Sequence, residues 1–128
     1  MFNLSNRSLK NLEGVHKDLV AVVMRAIEIT EVDFGVIEGV RTLSKQRKLY
    51  EQGATTTMNS RHLTGHAVDL VAYVGRNVRW DWPLYHKIAD AMKRAAFEVG
   101  VEIEWGGDFK SFPDGPHFEL SWSKYPKE

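Results

Sequence analysis

Apolar residues recur along this chain in two rhythms, one with the period of a helix and one with the period of a strand. Leu12, Val15, Leu19, Val22, Val23, Ala26 and Ile27 fall three and four apart. That spacing predicts a helix over about 15–29 with one apolar face. Asp18, Arg25 and Glu28 lie off the stripe. Leu84, Ile88, Met92, Ala95, Ala96 and Val99 repeat the pattern. They predict a second long helix that starts at Asp81-Trp82-Pro83, where proline suits the first turn, and stops at Gly100. Shorter helices are expected over 5–12, capped by Ser5 or Asn6, and over 44–52, with Ser44 as cap and Gly53 as stop.

The strand rhythm appears at Phe34–Val40, Ala67–Val74, Val101–Trp105 and His117–Trp122. Val78-Arg79-Trp80 extends a hairpin after the turn Gly75-Arg76-Asn77. Side chains alternate along a strand. In the second strand Ala67, Asp69 and Val71 therefore share one face, with Val68, Leu70 and Ala72 on the other. In the last, His117 and Glu119 oppose Phe118 and Leu120. Asp69 is then a carboxylate flanked by apolar neighbours, a costly place for an unpaired charge. Residues 54–59 read as a polar loop, and the tail from Ser123 is expected to fray.

Composition narrows the chemistry. The 128 residues suit one domain with one core. Seventeen basic residues balance seventeen acidic ones, which argues against nucleic acid as a partner. There is no cysteine, so disulfides, thiolate metal sites and a cysteine nucleophile are excluded. Any metal must be held by His, Asp and Glu. No apolar run is long enough for a membrane span, and the N-terminus has no secretory pattern.

Two stretches carry candidate chemistry: 60–69 (SRHLTGHAVD) and 114–119 (DGPHFE). A catalytic zinc takes three protein ligands and keeps a position for water. His62, Asp69 and His117 supply such a set. His62 and His66 are spaced as in a helical zinc motif, but Gly65 and the β-branched run after it disfavour a helix. His66 is therefore assigned a supporting role behind the ligands, or a place on the surface. Asp114, in the turn before His117, is the candidate base toward the attacking water; Glu119 competes for that role or orients a histidine. Arg41 is the candidate positive charge for the developing oxyanion, ahead of Arg61, whose side chain is expected to point away from that of His62. His16 and His86 read as ordinary surface or core histidines.

Ser60-x-His62-x-x-Gly65-x-Ala67-x-Asp69 matches the SxHxxGxAxD signature at every fixed position. On that motif the chain resembles the LAS-type (VanY-like) zinc peptidases. The group includes D-Ala-D-Ala carboxypeptidases and dipeptidases, and phage endolysins that cut the L-alanyl-D-glutamate bond of peptidoglycan. Gly39-Val40-Arg41-Thr42, Gln46, Leu49-Tyr50, Gly53 and Trp105-Gly106-Gly107-Asp108 look like the endolysin branch.

The resemblance implies one zinc ion on His62, Asp69 and His117, with Asp114 as base and Arg41 near the substrate. It implies supporting or substrate-binding places for Ser60, His66, Trp105 and Glu119. The fold it implies is α+β, with helices on one face of a small, mainly antiparallel sheet and the ligands in a cleft on the open side. A monomer of one catalytic domain is expected, without a separate wall-binding module. It would wait in the host cytoplasm for a holin and act on peptidoglycan stem peptides in the periplasm. A D-Ala-D-Ala carboxypeptidase and a non-catalytic zinc-holding module are the alternatives.

Overall fold

The structure, a computed structural model, describes residues 1–55, 57–58 and 60–126. Its helices are α1 (Asn6–Asn11), α2 (Lys17–Ile29), α3 (Leu43–Glu51) and α4 (Trp82–Val99). Its strands are β1 (Asp33–Glu38), β2 (Ala67–Val74), β3 (Asn77–Arg79), β4 (Ile103–Trp105) and β5 (His117–Leu120). Single 3-10 turns occur at Arg61–Thr64 and Gly106–Asp108. The strands form one antiparallel sheet in the order β1-β2-β5-β4, with β3 paired to β2. Among the described residues, no helix is long and apolar enough to cross a membrane.

The apolar stripes of α2 and α4 pack on each other and on one face of the sheet. Leu19, Val22, Ile88 and Met92 meet Phe34, Leu70 and Phe118 in a single cluster, all buried. Val68, Leu70 and Ala72 belong to that core, and Asp69 does not. The two faces of β2 are thus as the alternation predicts, and the α+β layering is the one the resemblance implies. Each side chain of this size stabilises the fold by about 1.5–3 kcal/mol when buried.

Three features aim the opposite face at function. The register of β1 on β2 slips by one residue, so that Val36 pairs with Leu70 and Glu38 with Asp69. Ile37 is the extra residue of this bulge. A regular strand would have turned Glu38 toward the core; the bulge puts it beside Asp69. In β5, His117 lies directly opposite Asp69, and Glu119 opposite Ala67. Finally, Gly65 ends the 3-10 turn with φ 75°, a region that side chains with a Cβ avoid. A Cβ there would also stand 2.6 Å from the Gly14 carbonyl oxygen. The Gly65 carbonyl in turn accepts from His16 N at 2.8 Å, which seats the loop on the α1–α2 connection.

α1 covers the outer edge of β1. Ser8 Oγ accepts from Val36 N at 2.9 Å, and Asn11 Nδ2 donates to Val36 O at 2.8 Å.

Several boundaries differ from those the sequence predicts. β1 ends at Glu38, not Val40, because the chain bends away at the bulge. α3 is capped by Thr42, whose Oγ1 accepts from Lys45 N at 3.1 Å, and Ser44 lies inside the helix. β4 begins at Ile103 and β5 stops at Leu120. The tail is docked where fraying is expected. Tyr125 Oη donates to Asp18 Oδ2 at 2.7 Å, and Arg61 Nη2 donates to Tyr125 O at 2.6 Å. Thr56 and Asn59 of the expected loop, and Lys127 and Glu128 of the tail, lie outside the described residues.

Gly65→Ala should lower unfolding free energy by about 2 kcal/mol or more, from backbone strain plus the backbone clash. Urea denaturation of the metal-free protein, followed by circular dichroism, checks this; a change under about 0.5 kcal/mol would contradict the strain argument.

Candidate metal centre

Four segments converge on the open face of the sheet. Ser60 caps the 3-10 turn by accepting from His62 N at 3.2 Å, which fixes the turn that carries His62. β2 brings Asp69 and β5 brings His117. The turn before β5 brings Asp114. It is closed by Asp114 N donating to Gly106 O at 2.8 Å and His117 N donating to Asp114 O at 3.2 Å. Gly106 is required here because a Cβ would run into the Asp114 carbonyl and the His117 side chain.

His62, Asp69 and His117 each place one donor atom within 4.8 Å of the others. His62 Nδ1 lies 2.8 Å from the Gly39 carbonyl. A carbonyl only accepts, so Nδ1 carries the hydrogen and Nε2 of the neutral ring has a free lone pair. That Nε2 is 3.3 Å from Asp69 Oδ1 but is not aligned to bond it, and it has no hydrogen-bond partner among the described residues. His117 is arranged the other way round. Its Nε2 donates to Glu119 Oε1 at 2.7 Å, and its Nδ1 faces Asp69 Oδ1 at 3.3 Å. Both rings are thus oriented by a partner on the far nitrogen, the usual backing of metal-bound histidines. An orphaned buried imidazole nitrogen, a second one facing it and a carboxylate between them fit a divalent cation.

The charges follow from this geometry. Burial alone would push Asp69 up, but the hydrogen bond and charge of His117, with the His62 ring close by, hold it well below the usual carboxylate range. Burial alone would push His117 down, but Asp69 and Glu119 raise it to about 9. Asp69 keeps 19% of its side chain exposed, enough to offer an oxygen to the cleft. Asp114 is pushed up, first by partial desolvation and then by the charge of Asp69. It is nevertheless solvent-exposed, and its carboxylate makes no hydrogen bond or ion pair among the described residues.

Arg41 stands beside the set, with Nη2 4.0 Å from Asp69 Oδ2. Its Nε donates to Glu38 Oε1 at 3.1 Å, and Nη2 also pairs with Glu38. Nη1 donates to Gln46 Oε1 at 2.7 Å, and Gln46 Nε2 donates to Thr57 O at 2.6 Å. The cleft is about 690 Å³, with Arg41, Lys45, Ser60, Arg61, His62, Asp69, Asp114, His117 and Glu119 among its lining.

Four predicted residues take more limited places. Arg61 turns away from His62, as expected, and is buried against Leu120 and Tyr125. His66 also points away from the cleft: its Nδ1 is 2.6 Å from Thr64 Oγ1, and its ring lies 5.5 Å from that of His16. Trp105 is absent from the residues that line the cleft. It is 4% exposed, stacks on Phe118 and donates Nε1 to Gly115 O at 2.7 Å, bracing the Asp114 turn from behind. Glu119 is buried against His117, which places it as an orienting group and not as the exposed base.

The sequence model of the family "Phage L-alanyl-D-glutamate peptidase" matches residues 1–121. The chain belongs to this family. It is 27% identical to the L-alanyl-D-glutamate peptidase of Escherichia phage T5, over 97% of this chain and 93% of that protein. It is 31% identical to the L-alanyl-D-glutamate peptidase of Listeria phage A118, over 94% of this chain and 43% of that one. The crystal structure of the Serratia marcescens L-Ala D-Glu endopeptidase ChiX superposes with a TM-score of 0.93 at 47% identity, covering 98% of this chain and 95% of that chain. The vancomycin-resistance D,D-dipeptidase VanXYg shares the fold, with a TM-score of 0.55 and 21% identity over 83% of this chain and 50% of that one.

Within this L-alanyl-D-glutamate peptidase framework, two residues take places that the sequence does not announce. Glu38 falls inside a predicted strand, and Gln46 inside a predicted helix. Gln46 is among the residues that resemble the endolysin branch, but its helix has little apolar character and nothing local shows that it holds Arg41.

At pH 7.5 the metal-free site holds a proton on His117 that a cation must displace. Zinc titrated into metal-free protein should therefore release about one proton. Calorimetry in two buffers of different ionisation enthalpy counts it; a value near zero would mean that His117 is neutral. The stabilisation of the metal-free protein through His117 is complete below its ordinary 6.5 and fades as pH rises through about 9. That through Asp69 is present above its ordinary 3.8 and is lost only as strong acid protonates it.

Proposed function

We propose that this family member is a zinc-dependent peptidoglycan endopeptidase that hydrolyses the L-alanyl-D-glutamate bond of the stem peptide. The observation that carries the reading is an uncommitted carboxylate, Asp114, on the same cleft as a His–Asp–His set with oriented rings. A module that only held a metal would have no use for such a group. A bound zinc supplies Lewis acidity toward the scissile carbonyl and lowers the pKa of an attacking water to about 7.

The chain's own residues do the rest. Asp114 takes a proton from the water as the new C–O bond forms. It returns the proton to the amine of D-glutamate as the C–N bond breaks, leaving a carboxylate on L-alanine. Its raised pKa brings it nearer the operating pH, which favours transfer in both directions. Arg41, clamped by Glu38 and Gln46, offsets negative charge that develops beside Asp69. Because its donors are fixed beforehand, little reorganisation is needed when that charge appears. We further propose that the protein acts as a monomer on the periplasmic wall. It would reach the wall from the host cytoplasm once a holin has opened the inner membrane.

Asp114→Ala should keep zinc and the folded circular dichroism spectrum yet lose roughly 10²–10⁴-fold in hydrolysis. Turbidity loss of chloroform-treated Gram-negative cells measures this, and unchanged clearing would remove Asp114 from the mechanism. Mass analysis of digested peptidoglycan identifies the bond. New amino termini on D-glutamate are expected; release of free D-alanine instead would point to a carboxypeptidase.

A further inference from the structure

One wall of the cleft has no part in the steps above. Trp122, just beyond β5, is 39% exposed and lines the cleft. Its ring is packed on Arg61, whose guanidinium carbon lies 3.9 Å from the ring centroid. Arg61 is 3% exposed and is anchored by Nη2 donating to Leu120 O at 3.0 Å and Tyr125 O at 2.6 Å. Its Nε and Nη1 have no hydrogen-bond partner among the described residues. A buried cation with so few hydrogen bonds is costly; the charges of Glu119 and Glu104 offset part of the cost, and the π face of the indole adds to this. That attraction fixes the indole in place. One face is taken by the guanidinium, and the part of the ring that stays exposed belongs to a residue of the cleft lining.

The substrate chemistry says what such a surface is for. In peptidoglycan the L-alanine of the stem is amide-linked to the lactyl group of a muramyl sugar. If the L-alanyl-D-glutamate bond is the one cut, a single residue separates the reacting carbonyl from the sugar's lactyl arm. An extended residue spans only about 3.3–3.6 Å. The pyranose must therefore lie against the cleft wall when the bond is in place. Sugar rings present faces of C–H groups, which pack on aromatic rings, while their hydroxyls stay in water.

We propose that Trp122, held flat by Arg61, is the platform on which the muramyl sugar of the substrate stacks, so that the enzyme prefers stem peptides still joined to the glycan. This rests on the function proposed above and adds a subsite to it. The platform is preformed, so stacking adds affinity without the cost of ordering a mobile ring.

The test compares a disaccharide-tetrapeptide muropeptide with the sugar-free tetrapeptide of the same sequence. The readout is the ratio of kcat/KM for the two. The wild type should favour the muropeptide. Trp122→Leu, apolar but not planar, should erode that preference about tenfold through KM, the size of one lost aromatic contact. Trp122→Phe, which keeps a smaller ring and is the gentler change to the fold, should erode it part-way. Phe112, the more exposed aromatic of the cleft at 70%, is the comparison, and Phe112→Leu should leave the ratio as it was. Zinc content and circular dichroism confirm that each variant is folded. Equal losses on both substrates for the two Trp122 variants would overturn the platform, as would a wild type with no preference or a sugar-selective loss in Phe112→Leu. A wild type that cuts neither substrate would overturn the proposed function itself.

Discussion

Asp69 is a carboxylate set between Val68 and Leu70, two side chains with no exposure, and the active face is the arrangement that makes this tolerable. A lone charge there would be several kilocalories out of place. Asp69 is met by His62 from the preceding turn, by His117 from the facing strand and by Arg41 from beyond the bulge. Each comes from a different part of the chain, so the pairing can form only when β1, β2 and β5 are in register. The same contacts that offset the burial cost also bring together the donors for a cation. Stabilising the fold and assembling the centre are here one event.

The histidines are useful because of what lies on their far sides. His62 is turned by a backbone carbonyl, and His117 by the carboxylate of Glu119. Ala67 sits opposite Glu119 in the register, which explains why the motif has a small residue there: a larger side chain on that face would crowd the Glu119–His117 pair. Ser60, Gly65 and Gly106 contribute no donor to the centre. They fix the turns on which the donors ride.

Much of this arrangement is legible in the amino-acid sequence. The helical stripes name the core residues, and the alternation in β2 and β5 separates core face from active face. Residues 62, 69 and 117 stand out because cysteine is absent and the motif spacing is specific. What stays hidden arises from long-range packing. The bulge at Ile37 leaves no local mark, so neither the end of β1 nor the turn of Glu38 toward Arg41 shows in the residues themselves. Thr42 and Ser44 are equivalent caps by residue type; only the direction in which the chain leaves β1 selects Thr42. The docking of Tyr125 on Asp18 joins residues 107 apart. Trp105 adjoins a glycine-rich loop, which suggests a cleft residue, yet its ring belongs to the core behind the Asp114 turn.

The helix laid along β1 has an effect on how copies of this chain can meet. The rim of a sheet ordinarily offers a rail of amide and carbonyl groups to any passing strand. At Val36 both groups are already engaged by Ser8 and Asn11. A neighbouring molecule finds that rail occupied midway along β1, so template-driven stacking of copies is blocked at this end and, among the described strands, has only short β3 and β4 to work from elsewhere.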